Sequence, residues 1–266
     1  MDKYFQNKTV WITGASSGIG EALVYAFSAG GCKVIASSND AEGLKQVASG
    51  CQDLPGKVIP VPFDLSDTTM IAKLVETVIT ENGKVDILLN IGGVSQRALI
   101  RDTPLWLDRK IMEINYFGTI ALTKAVLPHM IASGGGHIAA TSSITGRFGF
   151  PLRSAYSASK QALHGFFETL LIEHKKDNIK VSVIIPGRVR TNISLHALTS
   201  TGKEHGKMDD GQAGGVTPAT AAKQIIRGLR RNKREILVGS RELLMLTVRR
   251  YLPGLFFRMA GRIKPM

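Results

Sequence analysis

The sequence predicts an α/β protein, a single domain built on a doubly wound parallel sheet of about seven strands with helices on both faces. Three observations carry this. Short β-rich runs alternate with helical patterns through most of the chain, the rhythm of repeated βαβ units. The first run, Thr9-Val10-Trp11-Ile12-Thr13, is short and reads as a buried strand, as a sheet covered on both faces requires. The chain has 266 residues, 44% of them apolar, and a mean hydropathy of +0.05, enough for a sizeable core and incompatible with disorder.

In chain order, the strand at 9–13 passes through a Gly/Ser-rich turn into a helical stretch over 21–27. A strand at 33–37, a helix at 41–49, a strand at 58–63, a helix at 68–81 and a strand at 86–90 follow. Longer helical patterns cover 107–131 and 154–175 and are separated by a strand at 137–141. The run 181–185 is again β-rich and stops at Pro186-Gly187. Residues 192–216 are polar, Gly-rich and too long for a simple connection, so they read as disordered or as a mobile lid. The expected organisation is a domain over 1–239 that includes 192–216 as a mobile substrate loop, followed by a basic amphipathic extension over 240–266.

Two cysteines, Cys32 and Cys51, cannot make a disulfide scaffold and suit a reducing compartment. Residues 1–8 lack the apolar region of a signal peptide, and no run of 18 apolar residues occurs, so neither a leader nor a spanning helix is expected. The formal net charge of +13 suggests an anionic partner until it is partitioned. Residues 223–266 carry +10 of it and the first 222 residues only +3, which argues against a general nucleic-acid groove. The tail alternates apolar clusters with arginines, as interfacial helices do; a helix packed on its own or a partner subunit is the equal alternative.

Thr13-Gly14-Ala15-Ser16-Ser17-Gly18-Ile19-Gly20 lies between the first strand and the first helix. Gly14 permits a tight turn, Gly18 a close backbone approach to a pyrophosphate, and Gly20 close helix–strand packing, with the helix N-terminus facing the anion. A glycine cluster alone is weak; its place in a βαβ unit is what points to a dinucleotide and a Rossmann-type sheet. Tyr156 and Lys160 stand at i, i+4 on one predicted helix, and a phenol beside an ammonium has its anionic form favoured, which makes it a proton donor and acceptor.

With these elements in place the sequence resembles the classical short-chain dehydrogenase/reductase family. The matching stretches are 13–20, Asp64-Leu65, Asn90-Ile91-Gly92-Gly93, Asn115 in Asn-Tyr-Phe-Gly, Ser143 thirteen residues before Tyr156, the Tyr156/Lys160 pair, and 186–191. Residues 90–97 and 124–130 look most like the branch with the mammalian dehydrogenase/reductase member 7 and 11β-hydroxysteroid dehydrogenase type 1. The resemblance implies a catalytic set of Asn115, Ser143, Tyr156 and Lys160. In it Tyr156 exchanges a proton with the substrate oxygen, Lys160 lowers the Tyr156 pKa and holds the nicotinamide ribose, Ser143 donates to the substrate oxygen, and Asn115 supports a water leading from Lys160 to solvent. It also implies a cofactor site of Gly14, Ser16, Ser17, Gly18, Ile19, Gly20, Ser38, Asn39, Asp64, Leu65, Asn90, Gly92, Tyr156, Lys160, Pro186, Gly187, Val189 and Thr191. Asp64 is expected to bond the adenine amino group, or else to cap the following helix, for which Ser66 and Asp67 are equal candidates. Ile91 departs from the family's usual Asn-Asn-Ala-Gly.

The position that selects NAD(H) in the family by an acidic residue aligns with Ser38, and its NADP-selecting arginine with Asn39. Both discriminators are missing. NADP(H) is favoured because no carboxylate stands at Ser38, with Asp40 as the counter-argument and NAD(H) as the alternative. Phe148 and Phe150, with Ser143 and Tyr156, form the expected substrate pocket, whose apolar wall suits a steroid-, retinoid- or lipid-like carbonyl or secondary alcohol. The expected function is therefore that of an NAD(P)(H)-dependent oxidoreductase, a carbonyl reductase or alcohol dehydrogenase; a dinucleotide-binding sensor or scaffold without turnover is the alternative. The expected partners are a small-molecule substrate and further copies of the chain, as a dimer or tetramer, without nucleic acid or metal. The expected location is the cytoplasm, with peripheral membrane contact through the tail kept open.

Overall fold

The computed structural model describes residues 3–260; Met1, Asp2 and the last six residues, including the tail's Arg262 and Lys264, lie outside the described residues. The strands and helices are β1 (Thr9–Thr13), α1 (Gly18–Ala29), β2 (Lys33–Ser37), α2 (Ala41–Ser49), β3 (Lys57–Pro60), α3 (Thr68–Asn82), β4 (Ile87–Asn90) and β5 (Gln96–Arg97). After them come α4 (Leu105–Met112), α5 (Thr119–Ala132), β6 (Gly136–Thr141), α6 (Ser154–Glu173), β7 (Ile179–Pro186), β8 (Leu198–Thr199), α7 (Asp210–Ala213), α8 (Pro218–Arg230), β9 (Glu235–Val238), α9 (Leu244–Tyr251) and α10 (Pro253–Ala260).

Seven strands form one parallel sheet in the order β3-β2-β1-β4-β6-β7-β9, and β5 pairs with β8 in a separate two-stranded ribbon. Val10 faces Val34 on one side and Ile87 on the other, so β1 sits at the point where strand order reverses. Successive side chains on a strand point to opposite faces, and two cores follow from that alternation. Val10 and Ile12 pack with Leu23, Val24 and Phe27 of α1 and with Ile225 and Leu229 of α8. Trp11 points the other way, into Ile71 and Val75 of α3, Leu122 and Val126 of α5, and Leu163 and Phe167 of α6. The Trp11 indole N–H donates to Ser37 Oγ at 2.9 Å, which satisfies the one polar atom that ring buries.

The strands at 9–13 and 33–37 and the helix at 41–49 form over the expected residues, whereas the strand expected at 58–63 ends at Pro60. The helix expected over 107–131 is interrupted: residues Glu113–Gly118 form a π-helical segment between α4 and α5. Gly118 lies against the Leu65 carbonyl so closely that a Cβ there has no room, so the widened turn is fixed by packing. Helix α8 and the seventh strand, β9, belong to a stretch the sequence reading does not resolve.

Residues 192–216 carry local structure: a single turn at Asn192–Ser194, β8 and α7, with Val216 bridged to Val189. The C-terminal extension packs on its own chain through Phe256, which is 2% exposed and lies 4.8 Å from the Phe148 ring. Its other face leaves Leu244, Tyr251, Leu252, Leu255 and Phe257 exposed. Among the described residues no helix is long and apolar enough to cross a membrane.

His137 on β6 is 4% exposed, and its ring lies 2.8 Å from Ser182 Oγ on β7. Burial, helped by the charge of Lys180, lowers its pKa to about 4. A histidine whose folded pKa lies below its unfolded value contributes fully above the unfolded value and loses that contribution as pH falls toward the folded one. The protein is therefore expected to lose stability between about pH 6.5 and pH 4, with His137 accounting for on the order of 3 kcal/mol. Urea titrations across that range should show a shallower pH dependence for His137→Gln; an unchanged slope would exclude this residue as a cause.

Candidate active site

In open α/β sheets the crevice for ligands lies beyond the carboxyl ends of the strands where their order reverses. Here that place is a cleft of about 1100 Å³ above β1 and β4. Thr13 ties its floor together, because its Oγ1 accepts from the backbone N–H of both Ile91 and Gly92 at 3.1 Å. Gly14 has φ +64°, and a Cβ there would stand 2.7 Å from Gly92 Cα, so both the conformation and the space demand glycine. Gly18, at φ +60°, opens α1 opposite Thr191.

The cleft is lined by Gly14, Ser16, Ser17, Gly18, Ile19, Gly20, Ser38, Asn39, Asp64, Leu65, Gly92, Pro186, Gly187, Val189 and Thr191, together with Ser143, Phe148, Phe150, Tyr156 and Lys160. Two expected residues sit behind it. Asn90 is 2% exposed and its amide donates sideways to Thr123 Oγ1 at 3.2 Å and the Ala139 carbonyl at 3.4 Å, so it braces β4 beneath the cleft and does not line it. Asn115 is fully buried in the π-helical segment. Its Oδ1 accepts from Val94 N at 2.8 Å, and its Nδ2 donates to Val94 O at 2.9 Å and Ser159 Oγ at 3.0 Å. That amide thus joins the loop after β4 to α6. Asp64 does not cap α3: Asp67 holds that position, while Asp64 Oδ1 accepts from Ser66 N and Oγ, both at 2.8 Å.

Lys160 and Tyr156 project from the first turns of α6, and the Lys160 ammonium lies 5.9 Å from the phenol ring centre. Lys160 donates to the Thr141 carbonyl at 2.8 Å, and burial lowers its pKa to about 8. Burial raises that of Tyr156, opposed by a hydrogen bond with the Ser143 hydroxyl and by the positive charges of Arg153 and Arg97. Two arginines thus join Lys160 in the surroundings of the phenol. Ser143 Oγ is itself fixed by Thr145, whose N–H and hydroxyl donate to it at 3.2 and 3.1 Å.

Further contacts that shape the site come from residues outside the motifs. Gln96 Oε1 accepts from the backbone N–H of Ala155 at 2.9 Å and of Tyr156 at 3.4 Å, holding the first turn of α6 from another element. Asp40 caps α2, its carboxylate accepting from Gly43 N at 2.9 Å. Phe256, Met245 and Met259 bring the C-terminal helices to the cleft wall. Only local capping of Asp40 carries a readable signal, an acidic residue directly before a helical run; the others join residues remote in sequence.

A family model for short chain dehydrogenase matches residues 8–200. The chain is 40% identical over 267 residues to dehydrogenase/reductase SDR family member 7B of Mus musculus, covering 98% of this chain and 83% of the mouse protein. It is 43% identical over 241 residues to a dehydrogenase/reductase SDR family protein 7-like of Anopheles gambiae, covering 89% of this chain and 76% of that protein. Among solved structures it is similar to a short-chain dehydrogenase of Streptomyces avermitilis, with 28% identity, TM-score 0.78 and coverage of 97% and 100% of the two chains. A short chain dehydrogenase/reductase of Burkholderia phymatum, solved in complex with NAD, shares the fold at TM-score 0.84 and 20% identity, with 100% and 99% covered.

A Cβ on Gly93 would stand 2.8 Å from Asn115 Oδ1 and 3.0 Å from Lys160 Nζ. Gly93→Ala is therefore expected to displace both groups and to lower turnover on the order of 10²-fold, the scale of a 1 Å misplacement. Thermal unfolding run beside the kinetics separates this from global destabilisation; wild-type turnover in a folded variant would contradict the geometry.

Proposed function

Because the chain belongs to the short-chain dehydrogenase/reductase family of oxidoreductases, we propose that it interconverts a carbonyl and a secondary alcohol on a largely apolar substrate, with NADP(H) as the favoured dinucleotide. The observation that carries this reading is that Ser143, Tyr156 and Lys160 meet in the cleft whose other end is the glycine turn of β1 and α1. The fit to a dinucleotide rests on that turn: Gly14 and Gly18, at φ +64° and +60°, bend it tightly into the head of α1, and the first amides of α1 suit a pyrophosphate.

Gly14, Ser16, Ser17, Ile19 and Gly20 would hold the phosphates, Asp64 and Leu65 the adenine, and Val189 and Thr191 the carboxamide end. The bound dinucleotide supplies or accepts the hydride. Tyr156 gives its phenolic proton to the substrate oxygen in reduction and takes it back in oxidation. Ser143 donates to the same oxygen as charge grows on it. Lys160 is the nearby ammonium that supports the phenolate, and Asn115 fixes the backbone around it.

Support for NADP(H) comes from the end of β2. Ser38 Oγ lies 3.0 Å from Ser16 Oγ, so two hydroxyls stand where an acidic residue would repel a 2′-phosphate. The Asp40 carboxylate is engaged at the N-terminus of α2, which weakens its force as a counter-argument. Support for an apolar substrate comes from Phe148, Phe150 and Phe256 on the cleft wall.

Tyr156→Phe is expected to cut turnover by about 10²–10⁴-fold, the usual scale of general acid–base catalysis, while dinucleotide binding measured by fluorescence persists. Full activity in that variant would refute the mechanism. In steady-state kinetics kcat/KM should be higher with NADPH than with NADH, and the reverse order would overturn the cofactor assignment.

A further inference from the structure

Beside the proton-transfer groups lies a cluster of charge that the chemistry above does not use. Arg97 on β5 and Arg153, just before α6, both converge on Asp209. Arg97 Nε donates to Asp209 Oδ1 at 3.2 Å and its Nη2 donates to Oδ2, while Arg153 Nη2 donates to the same Oδ2 at 2.7 Å. Arg97 and Asp209 are each only 9% exposed, and all three residues line the cleft that holds Ser143 and Tyr156.

The cluster is unbalanced. Two guanidinium groups meet one carboxylate, which leaves a net charge of +1 in a largely water-excluded wall. The remaining contacts of the arginines are neutral: Arg97 Nη1 donates to Ser95 Oγ at 2.9 Å and the Gln96 carbonyl at 2.5 Å, and Arg153 Nη1 reaches the Pro151 carbonyl at 3.4 Å. An arginine clasp that only tied the 192–216 segment to the domain would need one guanidinium for its carboxylate; the second, half-buried and 4.8 Å from the Phe150 ring centre, has no carboxylate of its own. The surplus is felt next door, since burial and the charge of Arg97 lower the Arg153 pKa, and both arginines act on the Tyr156 phenol.

We infer that Arg97, Arg153 and Asp209 form an anion subsite, so that the substrate carries a carboxylate or phosphate group close to its reacting carbonyl. Arg97 spends its Nε and Nη2 donors on Asp209, so the substrate anion would sit against Arg153, whose guanidinium makes fewer hydrogen bonds and suits either anion. Arg153 stands three residues before Tyr156, and Gln96, next to Arg97, accepts from the Tyr156 N–H, which sets the acidic group near the reacting carbon; the apolar remainder of the substrate runs along Phe148, Phe150 and Phe256. The inference rests on the oxidoreductase reading and narrows its substrate to an amphipathic, acidic carbonyl compound.

The test uses the full-length protein saturated with NADP⁺ and calorimetric binding of dodecanoate, dodecyl phosphate and dodecanol, ligands that share a chain and differ in head group. At least one acid is expected to bind about tenfold or more tightly than the alcohol, the scale of one charge-assisted contact pair. The ratio between the two acids then distinguishes a carboxylate from a phosphate site. Arg153→Gln, which brings the net charge to zero, is expected to abolish that preference and keep dodecanol binding; Asp209→Asn, which raises it to +2, is expected not to weaken the acids. Equal affinity for all three ligands, or no binding of either acid, overturns the subsite. So does an equal loss for acid and alcohol in Arg153→Gln, or an acid loss in Asp209→Asn matching that in Arg153→Gln, because these are the marks of a purely structural clasp. Reduction of 2-oxododecanoate and 2-dodecanone with NADPH separates the two levels: no turnover of either counts against the oxidoreductase reading, whereas better turnover of the neutral ketone counts against the subsite alone.

Discussion

The structure is organised around the cost of keeping the Lys160 ammonium out of water. It is 3% exposed, its pKa is pushed down to about 8 by burial, and it donates to the Thr141 carbonyl at 2.8 Å. Such a group is stable only where its surroundings are fixed. The surroundings here are set by the end of β6, the first turns of α6 and the loop after β4. Each of those is tied in turn: β6 lies between β4 and β7, α6 is held at its first turn by Gln96, and the loop is clamped by the two bonds between Val94 and the Asn115 amide. The π-helical segment follows from the same demand. It carries Asn115, and it is pinned by the contact of Gly118 with the Leu65 carbonyl.

The surroundings of Tyr156 show how tertiary structure adds charges that sequence spacing does not suggest. An i, i+4 pair puts Tyr156 and Lys160 on one helix face, yet the ammonium is turned toward Thr141, 5.9 Å from the phenol ring centre. What opposes the burial of the phenol is the Ser143 hydroxyl and the charge of Arg153 and Arg97. The two arginines come from different elements, one on β5 and the other directly before α6, and meet at the Asp209 carboxylate. The same charges that oppose the effect of burial on the phenol would also favour an anionic group beside it.

How much was legible depended on the range of the interactions involved. The β1–turn–α1 unit, the strand at 33–37 and the helix at 41–49 are specified by local pattern, and they form over the expected residues. The glycine turn likewise names its own function, because φ values of +64° and +60° at Gly14 and Gly18 are a local necessity that sequence expresses as glycine. The π-helical insertion was not legible, since Glu113–Gly118 keeps a helical pattern and is widened only by what packs against it. The orientation of Asn90 is hidden for a related reason: a motif gives a residue's position along the strand, but its amide turns to Thr123 and Ala139, partners 33 and 49 residues away. The Arg97–Asp209 pair spans 112 residues, and nothing near either residue announces it.

The parts that shape the substrate end of the cleft come late in the chain. Asp209 belongs to the segment that bridges back to Val189, and Phe256 belongs to the C-terminal helices and closes on Phe148. The β1–α1 turn and the Ser143, Tyr156 and Lys160 group are complete by residue 160, whereas the charged and apolar walls beside them are finished only by residues 209 and 256. This also reinterprets the basic tail. Its arginines raise the net charge of the chain, but what it brings to the cleft is Glu242 and an apolar wall of Phe256, Met245 and Met259, and the cationic character of the substrate end comes from two arginines of the domain itself. Net charge, read along the sequence, therefore points to the wrong end of the molecule for chemistry: the surplus of one guanidinium beside Tyr156 is small in the total and large where water is excluded.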